Sequence, residues 1–464
     1  MRTTFAYAAL AASFSAAYAA DVQTEETGEE MIGAIPSSVC KFDKGSAVEV
    51  TVMVKSGTSD DVEDSDSFLQ KVGMSLDLDQ KFEWLNNSAF KAINMETTKG
   101  CADALAKLSF VDLVEETAEV KSFVTQTTAP WGLQRISNDA GASGDPKGQD
   151  FTYTFDDETL GQGVDIYVID TGVRDTHAAF QGRASQGFTA FSSSTDGDGH
   201  GTHVAGTAAS ARFGVAQRAN IFAVKVLGDD GSGSSSDTIA GMNWVINNHA
   251  ERKTQDGFVG SIMSMSWGLA GTATAVDKVI QAASDAGIHV SVAAGNDGAD
   301  ACGTTPAHLG GANSNVVTVG SVNIENTVST FSNIGQCVDI YAPGEQILST
   351  WNTGDNVINF LSGTSMATPA NTGVMAYLMA QDPTGLGQNP AALKAKLLET
   401  ARQDAISGDL GGSANLLLSN GVDGNVAAKK KRTVTGSPAA WAKSLVHSHD
   451  KRWELFSSDS PMRF

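Results

Sequence analysis

Four short stretches of this 464-residue chain hold side chains that can do chemistry. The run Val164-Asp165-Ile166-Tyr167-Val168-Ile169-Asp170-Thr171-Gly172 puts Asp170 at the end of an apolar segment that reads as a buried strand. Asp198-Gly199-His200-Gly201-Thr202-His203-Val204-Ala205-Gly206-Thr207 offers an imidazole, His200, among residues small enough for a helix to start hard against a sheet. Leu361-Ser362-Gly363-Thr364-Ser365-Met366-Ala367-Thr368-Pro369 sets Ser365 at the start of an apolar helical run, Met366 to Leu378. There unpaired backbone N–H groups and the helix dipole favour developing negative charge. Ala293-Ala294-Gly295-Asn296 closes a fourth strand with an amide that can donate to an oxyanion. A hydroxyl, a base, a carboxylate to orient the base and an amide donor are the parts of nucleophilic acyl transfer.

Taken singly, each stretch has a plainer reading. Asp-Thr-Gly also suits a pair of carboxylates sharing one proton, but that chemistry needs a second such loop, and the sequence has none. His200 and His203 stand three apart with no Glu between them, whereas a zinc-protease helix needs His at i and i+4 around a Glu. Asp196-Gly197-Asp198-Gly199 looks like part of a calcium loop without its distal Glu. Ser365 alone could be a helix N-cap.

The elements that must position these groups are legible in outline. Val164–Ile169, Ile221–Val226, Ile262–Met265, Val290–Ala294 and Val316–Val319 read as buried strands, with helical patterns such as Thr238–His249 and Ala273–Ala286 between them. Strands alternating with helices predict a parallel sheet covered on both faces, an α/β fold whose active residues gather at the carboxyl ends of strands. Upstream lies a smaller unit. Val48–Val54 alternates as a half-buried strand, Ser65–Leu76 and Thr98–Phe110 are amphipathic, and Phe82–Leu85, Phe90–Met95 and Val111–Val120 are strand-like. That order predicts the β-α-β-β-α-β arrangement of a small α+β ferredoxin-like domain.

The first twenty residues predict an export signal, with Arg2, an apolar stretch from Phe5 to Ala17, and Ala17-Tyr18-Ala19 at the cleavage site. The apolar stretch is too short to span a membrane, and no later run suggests an anchor. A formal net charge of −22 excludes a nucleic-acid binder, which needs a basic face. The exception is Lys429-Lys430-Lys431-Arg432, inside an aperiodic extension over 421–464. Export permits disulfides. Cys40, Cys101, Cys302 and Cys337 allow three pairings, of which pairing within each half is the simplest if the halves fold separately.

Together the four motifs, in the order Asp, His, Ser, resemble the active-site motifs of the subtilisin-like serine proteases. Ala129-Pro130-Trp131-Gly132-Leu133, Ser349-Thr350-Trp351 and Asn415-Leu416-Leu417 resemble segments of the proteinase K-like branch of that family. The resemblance covers about residues 129–420, and the small domain before it resembles the family's inhibitory propeptide. It implies a secreted, monomeric serine endopeptidase with Asp170, His200 and Ser365 as its triad and Asn296 at the oxyanion, acting on protein and peptide substrates without a cofactor for the chemistry. A vacuolar or lysosomal destination begins with the same signal. A catalytically silent scaffold that only binds is the alternative.

The implied domains are a signal at 1–20, a propeptide at 21–123 that inhibits the enzyme and is cut off near Phe123, a peptidase at 124–420, and the basic extension. Substrate would lie extended between Gly231-Ser232-Gly233 and Ser266-Trp267-Gly268, with Ala293, Ala294 and Gly295 walling an uncharged pocket that prefers apolar or aromatic residues before the cut. Trp267 stands where many relatives carry a smaller aliphatic residue. The resemblance also implies a Cys302–Cys337 disulfide, and a structural calcium ion held by Asp339 together with backbone carbonyls.

Overall fold

A computed structural model describes residues 124–423 throughout, most of 46–117, and, in isolation, Ile35, Cys40 and residues 454–455. The expected export signal, the region around Phe123 and the basic run 429–432 lie outside the described residues. The chain divides into two compact units, one ending at Val120 and one beginning at Lys121.

The first unit carries β1 (Ala47–Val54), α1 (Ser65–Val72), β2 (Phe82–Asn86), β3 (Lys91–Thr98), α2 (Lys99–Leu105) and β4 (Val111–Glu116). Its sheet runs β2-β3-β1-β4 with every pairing antiparallel, the split arrangement expected from the sequence. Alternation along β1 sends Val50, Val52 and Val54 into a core with Phe68 and Val72 of α1 and Leu105 of α2. Both helices stop short of their expected ends; α1 closes at Val72, capped by Gly73. Cys40 and Cys101 are bonded within this unit.

The second unit opens with β5 (Val124–Ala129), α3 (Trp131–Ile136), β6 (Phe151–Phe155), β7 (Val164–Asp170), β8 (Ala184–Thr189), α4 (His200–Ala209), β9 (Asn220–Lys225) and α5 (Ser235–Arg252). It continues with β10 (Gly260–Met265), β11 (Leu269–Ala270), α6 (Thr274–Asp285), β12 (His289–Ala293), β13 (Thr304–Thr305), β14 (Val317–Val322) and β15 (Ile340–Pro343). Last come β16 (Ile347–Thr350), β17 (Val357–Leu361), α7 (Thr364–Gln381), α8 (Pro383–Leu386), α9 (Pro390–Thr400), β18 (Arg402–Gln403), β19 (Leu416–Leu417) and β20 (Glu454–Leu455).

One nine-stranded sheet, in the order β18-β19-β15-β14-β12-β10-β7-β9-β8, organises the unit. Every pairing from β19 to β8 is parallel; only β18 runs against its neighbour. Side chains alternate across the sheet, so successive residues of β7 enter different cores. Ile166 and Val168 pack with Val204 and Ala208 of α4 and Val374 and Leu378 of α7. Tyr167 and Ile169 pack with Met242 and Val245 of α5 and Val276 and Ile280 of α6. Each fully buried aliphatic side chain of this kind contributes about 1.5–3 kcal/mol. Burial on both faces is why these strands read as continuous apolar runs.

Parallel strands put their carboxyl ends on one edge. Asp170 ends β7, Ser266 follows β10, and Asn296 lies just beyond β12, so the topology gathers them there. Among the described residues no helix is long and apolar enough to cross a membrane.

Candidate active site

Asp170 and His200 meet where β7 ends and α4 begins. Asp170 Oδ1 accepts from Thr171 N–H at 2.8 Å and lies 2.8 Å from His200 Nδ1. The helix can start this close because residue 201 is glycine: a Cβ there would fall 2.1 Å from the Gly172 carbonyl oxygen. Burial alone would disfavour the imidazolium, but the charge and hydrogen bond of Asp170, with Asp198 and Asp196 behind it, hold His200 above the ordinary histidine range.

Asp196 fixes the junction between strand and helix. Its carboxylate accepts from the Thr171 hydroxyl at 2.9 Å, from Gly199 N–H at 2.8 Å and from Thr202 N–H at 2.9 Å, and from Asp198 N–H and the Thr202 hydroxyl besides. Those oxygens are thus spent on the loop itself, which answers the calcium-loop look of Asp196–Gly199. His203 has a structural part. Its Nε2 donates to the Ile347 carbonyl at 2.9 Å, and burial pushes its pKa down to about 3, so it is neutral and turned to backbone acceptors.

Ser365 sits in the first turn of α7, whose N-cap is Gly363, so its hydroxyl is not spent on capping. The hydroxyl donates to the Ser266 carbonyl at 3.1 Å. Pro369 explains the reverse contact. A proline has no N–H to give the carbonyl four residues back, so the Ser365 carbonyl is free to accept from the Ser266 hydroxyl, at 3.0 Å. As the second residue of the helix, Ser365 also has an N–H without an intrahelical acceptor. Helix α4, with His200 at its start, packs on α7, with Ser365 at its start.

Asn296 is oriented by the same helix start. Its Oδ1 accepts from Thr364 N–H at 2.8 Å and from the Thr364 hydroxyl at 2.9 Å. A backbone N–H can only donate, so the atom facing it is the oxygen and the Nδ2 protons point elsewhere. Nδ2 lies beside Gly363, at the threshold of α7. The loop that carries Asn296 is clamped by Asn333, which is fully buried. Asn333 donates to the Ala294 carbonyl at 3.0 Å and accepts from Asp297 and Ala299 N–H at 3.0 Å each. Gly295 takes φ +106°, and a Cβ there would meet Asn333 Nδ2 at 2.3 Å.

The expected substrate edges differ in kind. Gly231–Gly233 lies in an exposed turn closed by Gly228 N–H to the Ser232 carbonyl at 2.7 Å, and belongs to no strand. Lys225 anchors the adjoining loop. Its buried ammonium donates to Asp229 at 2.8 Å and to the Thr171 carbonyl, beside Asp170. Ser266 is buried, and the Trp267 indole turns into the core under Ile169, donating to the Ile169 carbonyl at 2.9 Å. Ala293 and Ala294 are buried at the end of β12. A cavity of about 440 Å³ elsewhere in the unit, lined by Val124, Gln126, Arg212 and Gln217 among others, shares none of these residues.

Cys302 and Cys337 are bonded to each other. Asp339, two residues on, faces the Lys394 ammonium at 2.8 Å. Sequence reasoning weighed Asp196 only as part of a calcium loop and passed over Asn333, Thr364 and Lys394. Asp196, four residues before His200, carried a local signal. Asn333 and Lys394 carried none, because their partners are distant in the chain.

A parallel sheet with helices on both faces, and a carboxylate, an imidazole and a hydroxyl where β7, α4 and α7 meet its edge, defines the subtilisin-like class of α/β proteins. The Subtilase family model matches residues 161–428, more than half of the chain, and the chain belongs to that family. It is 41% identical over 324 residues to Subtilisin-like serine protease Pen ch 18 of Penicillium rubens, covering 67% of this chain and 64% of that protein. Less than two thirds of that relative's length is thus represented. It is 38% identical over 363 residues to Alkaline protease 2 of Aspergillus fumigatus, covering 74% of this chain and 71% of the relative. Among solved structures it resembles a cold adapted subtilisin-like serine proteinase, at a TM-score of 0.54 and 38% identity, over 63% of this chain and 98% of that one.

Proposed function

We propose that this chain is a serine endopeptidase that cleaves peptide bonds through an acyl-enzyme. Ser365 Oγ attacks the scissile carbonyl and its proton passes to His200 Nε2. The C–N bond then breaks as the imidazolium returns that proton to the leaving amine, and water repeats the sequence to release the acid. Asp170 orients His200 and stabilises its cationic form. Asn296 Nδ2 and the Ser365 N–H receive the oxyanion. One observation carries the reading. The 2.8 Å contact between Asp170 Oδ1 and His200 Nδ1, with both groups buried, leaves Nε2 as the ring nitrogen that serves as base.

The finer reading is a secreted precursor of a broad endopeptidase. Residues 1–20 export it, 21–123 fold as its own inhibitor and are removed by self-cleavage near Phe123, 124–420 are the peptidase, and 421–464 form a basic extension. The uncharged lining at Ala293–Gly295 favours apolar or aromatic residues before the cut. No cofactor enters the chemistry.

Labelling the matured protein with a fluorophosphonate, followed by peptide mass mapping, tests the mechanism. A single adduct on Ser365 that disappears in His200→Ala is expected. A folded, propeptide-free sample that takes up no probe would refute it.

A further inference from the structure

Lys394 is a lysine on the buried face of a helix. Along α9, Leu393, Lys394 and Leu397 face inward, while Lys396 stays at the surface beside Glu399. A buried ammonium needs acceptors for all its protons, and this one has four oxygens around it. Asp339 Oδ1 lies at 2.8 Å, and the carbonyls of Gly311, Ser314 and Val316 lie at 2.7, 3.0 and 2.7 Å. The side chains of Lys394 and Asp339 are only 9% and 3% exposed. Asp339 is filled as well, since Gly311 and Thr318 N–H donate to it at 3.1 and 2.8 Å.

One carboxylate and several backbone carbonyls are the donor set expected to hold calcium at Asp339. The residues present do not fit the ion. Calcium takes six to eight oxygens at about 2.3–2.6 Å, and these four converge at ammonium distances on a nitrogen that occupies their centre. We infer that the chain supplies its own cation here: the Lys394 ammonium does the work of a structural calcium ion, tying loop 311–316 and α9 to Asp339. The two cannot coexist at this centre, because a second positive charge would displace the first. Stability at this site is therefore independent of calcium, and the ion's expected role at Asp339 passes to a side chain more than fifty residues downstream in sequence.

The test compares melting of the full chain, carrying Ser365→Ala to prevent self-digestion, in EDTA and in about 10 mM calcium chloride. The background with Lys394 intact and its Asp339→Asn derivative should show the same calcium response, since any response comes from elsewhere. Lys394→Ala should melt lower in EDTA and recover about 5 °C or more in calcium, and that gain should vanish when Asp339→Asn is added. A calcium response that Asp339→Asn abolishes while Lys394 is intact would overturn the inference. So would a Lys394→Ala protein that folds and gains nothing from calcium. Should Lys394→Ala not fold, acetylation of the native Ser365→Ala chain decides. Lys394 should stay unmodified with and without calcium, and exposure of Lys394 by calcium would refute its claim to the site.

Discussion

Asp196→Asn separates a positioning role from mere packing. The wild-type carboxylate faces five donors, three of them backbone N–H groups that cannot turn away: those of Asp198, Gly199 and Thr202. An asparagine must aim its own NH₂ at one side of this ring. On the cheaper side the Thr202 hydroxyl can rotate to accept, but the Thr202 N–H cannot. One buried N–H left unpaired costs about 1–3 kcal/mol, and trading charge-assisted for neutral bonds costs a few tenths to 1 kcal/mol for each of the others. The total is about 2–7 kcal/mol, or a fall of roughly 3–11 °C in melting temperature for a unit of this size. Asp196 joins Thr171, next to Asp170, to the helix start that carries His200. Loosening it should therefore lower kcat by about 10–100-fold and leave KM nearly unchanged. The assay is peptide hydrolysis under saturating and limiting substrate, beside calorimetric melting. A variant with kcat within threefold of wild type, whether or not it melts early, would refute the positioning argument.

Three further outcomes follow from the structure. Because Asp170 holds His200 above the ordinary histidine range of about 6.5, the acid limb of kcat/KM should lie above that value. Asp170→Asn should move the limb to lower pH while cutting kcat by about 10⁴-fold; an unmoved limb would mean another group sets it. The linkage has the opposite sense from a paired carboxylate. A raised folded-state pKa gives His200 a stabilising contribution present below its unfolded pKa and lost as pH rises through the folded one, so this part of the melting profile should flatten in Asp170→Asn. Replacing Cys302 and Cys337 together by serine opens a loop spanning 35 residues, which costs about 3–4 kcal/mol in the chain-entropy view; equilibrium unfolding in denaturant would detect it, and a loss under 1 kcal/mol would contradict it.

Sequence alone singled out the candidate reacting groups and the edge on which they sit. Asp170, His200, Ser365 and Asn296 each stand where an apolar run gives way to small residues, a local pattern set by strand and helix periodicity. The parallel sense of the sheet and its two-sided core follow from the same runs, whereas the strand order came only with the structure. Element ends were less legible, since caps decide them: the Ser234–Asp237 capping box starts α5 at Ser235, ahead of the Thr238 expected from apolar spacing. Only the tertiary structure decided what holds the candidate site groups in place. Asn333 on the Asn296 loop, Pro369 freeing a carbonyl for Ser266, the inward turn of Trp267, and Lys394 on Asp339 are contacts between residues far apart in the chain. No periodicity encodes them. A buried polar side chain must find partners wherever the fold brings them, and that choice is made only when the chain has closed around it.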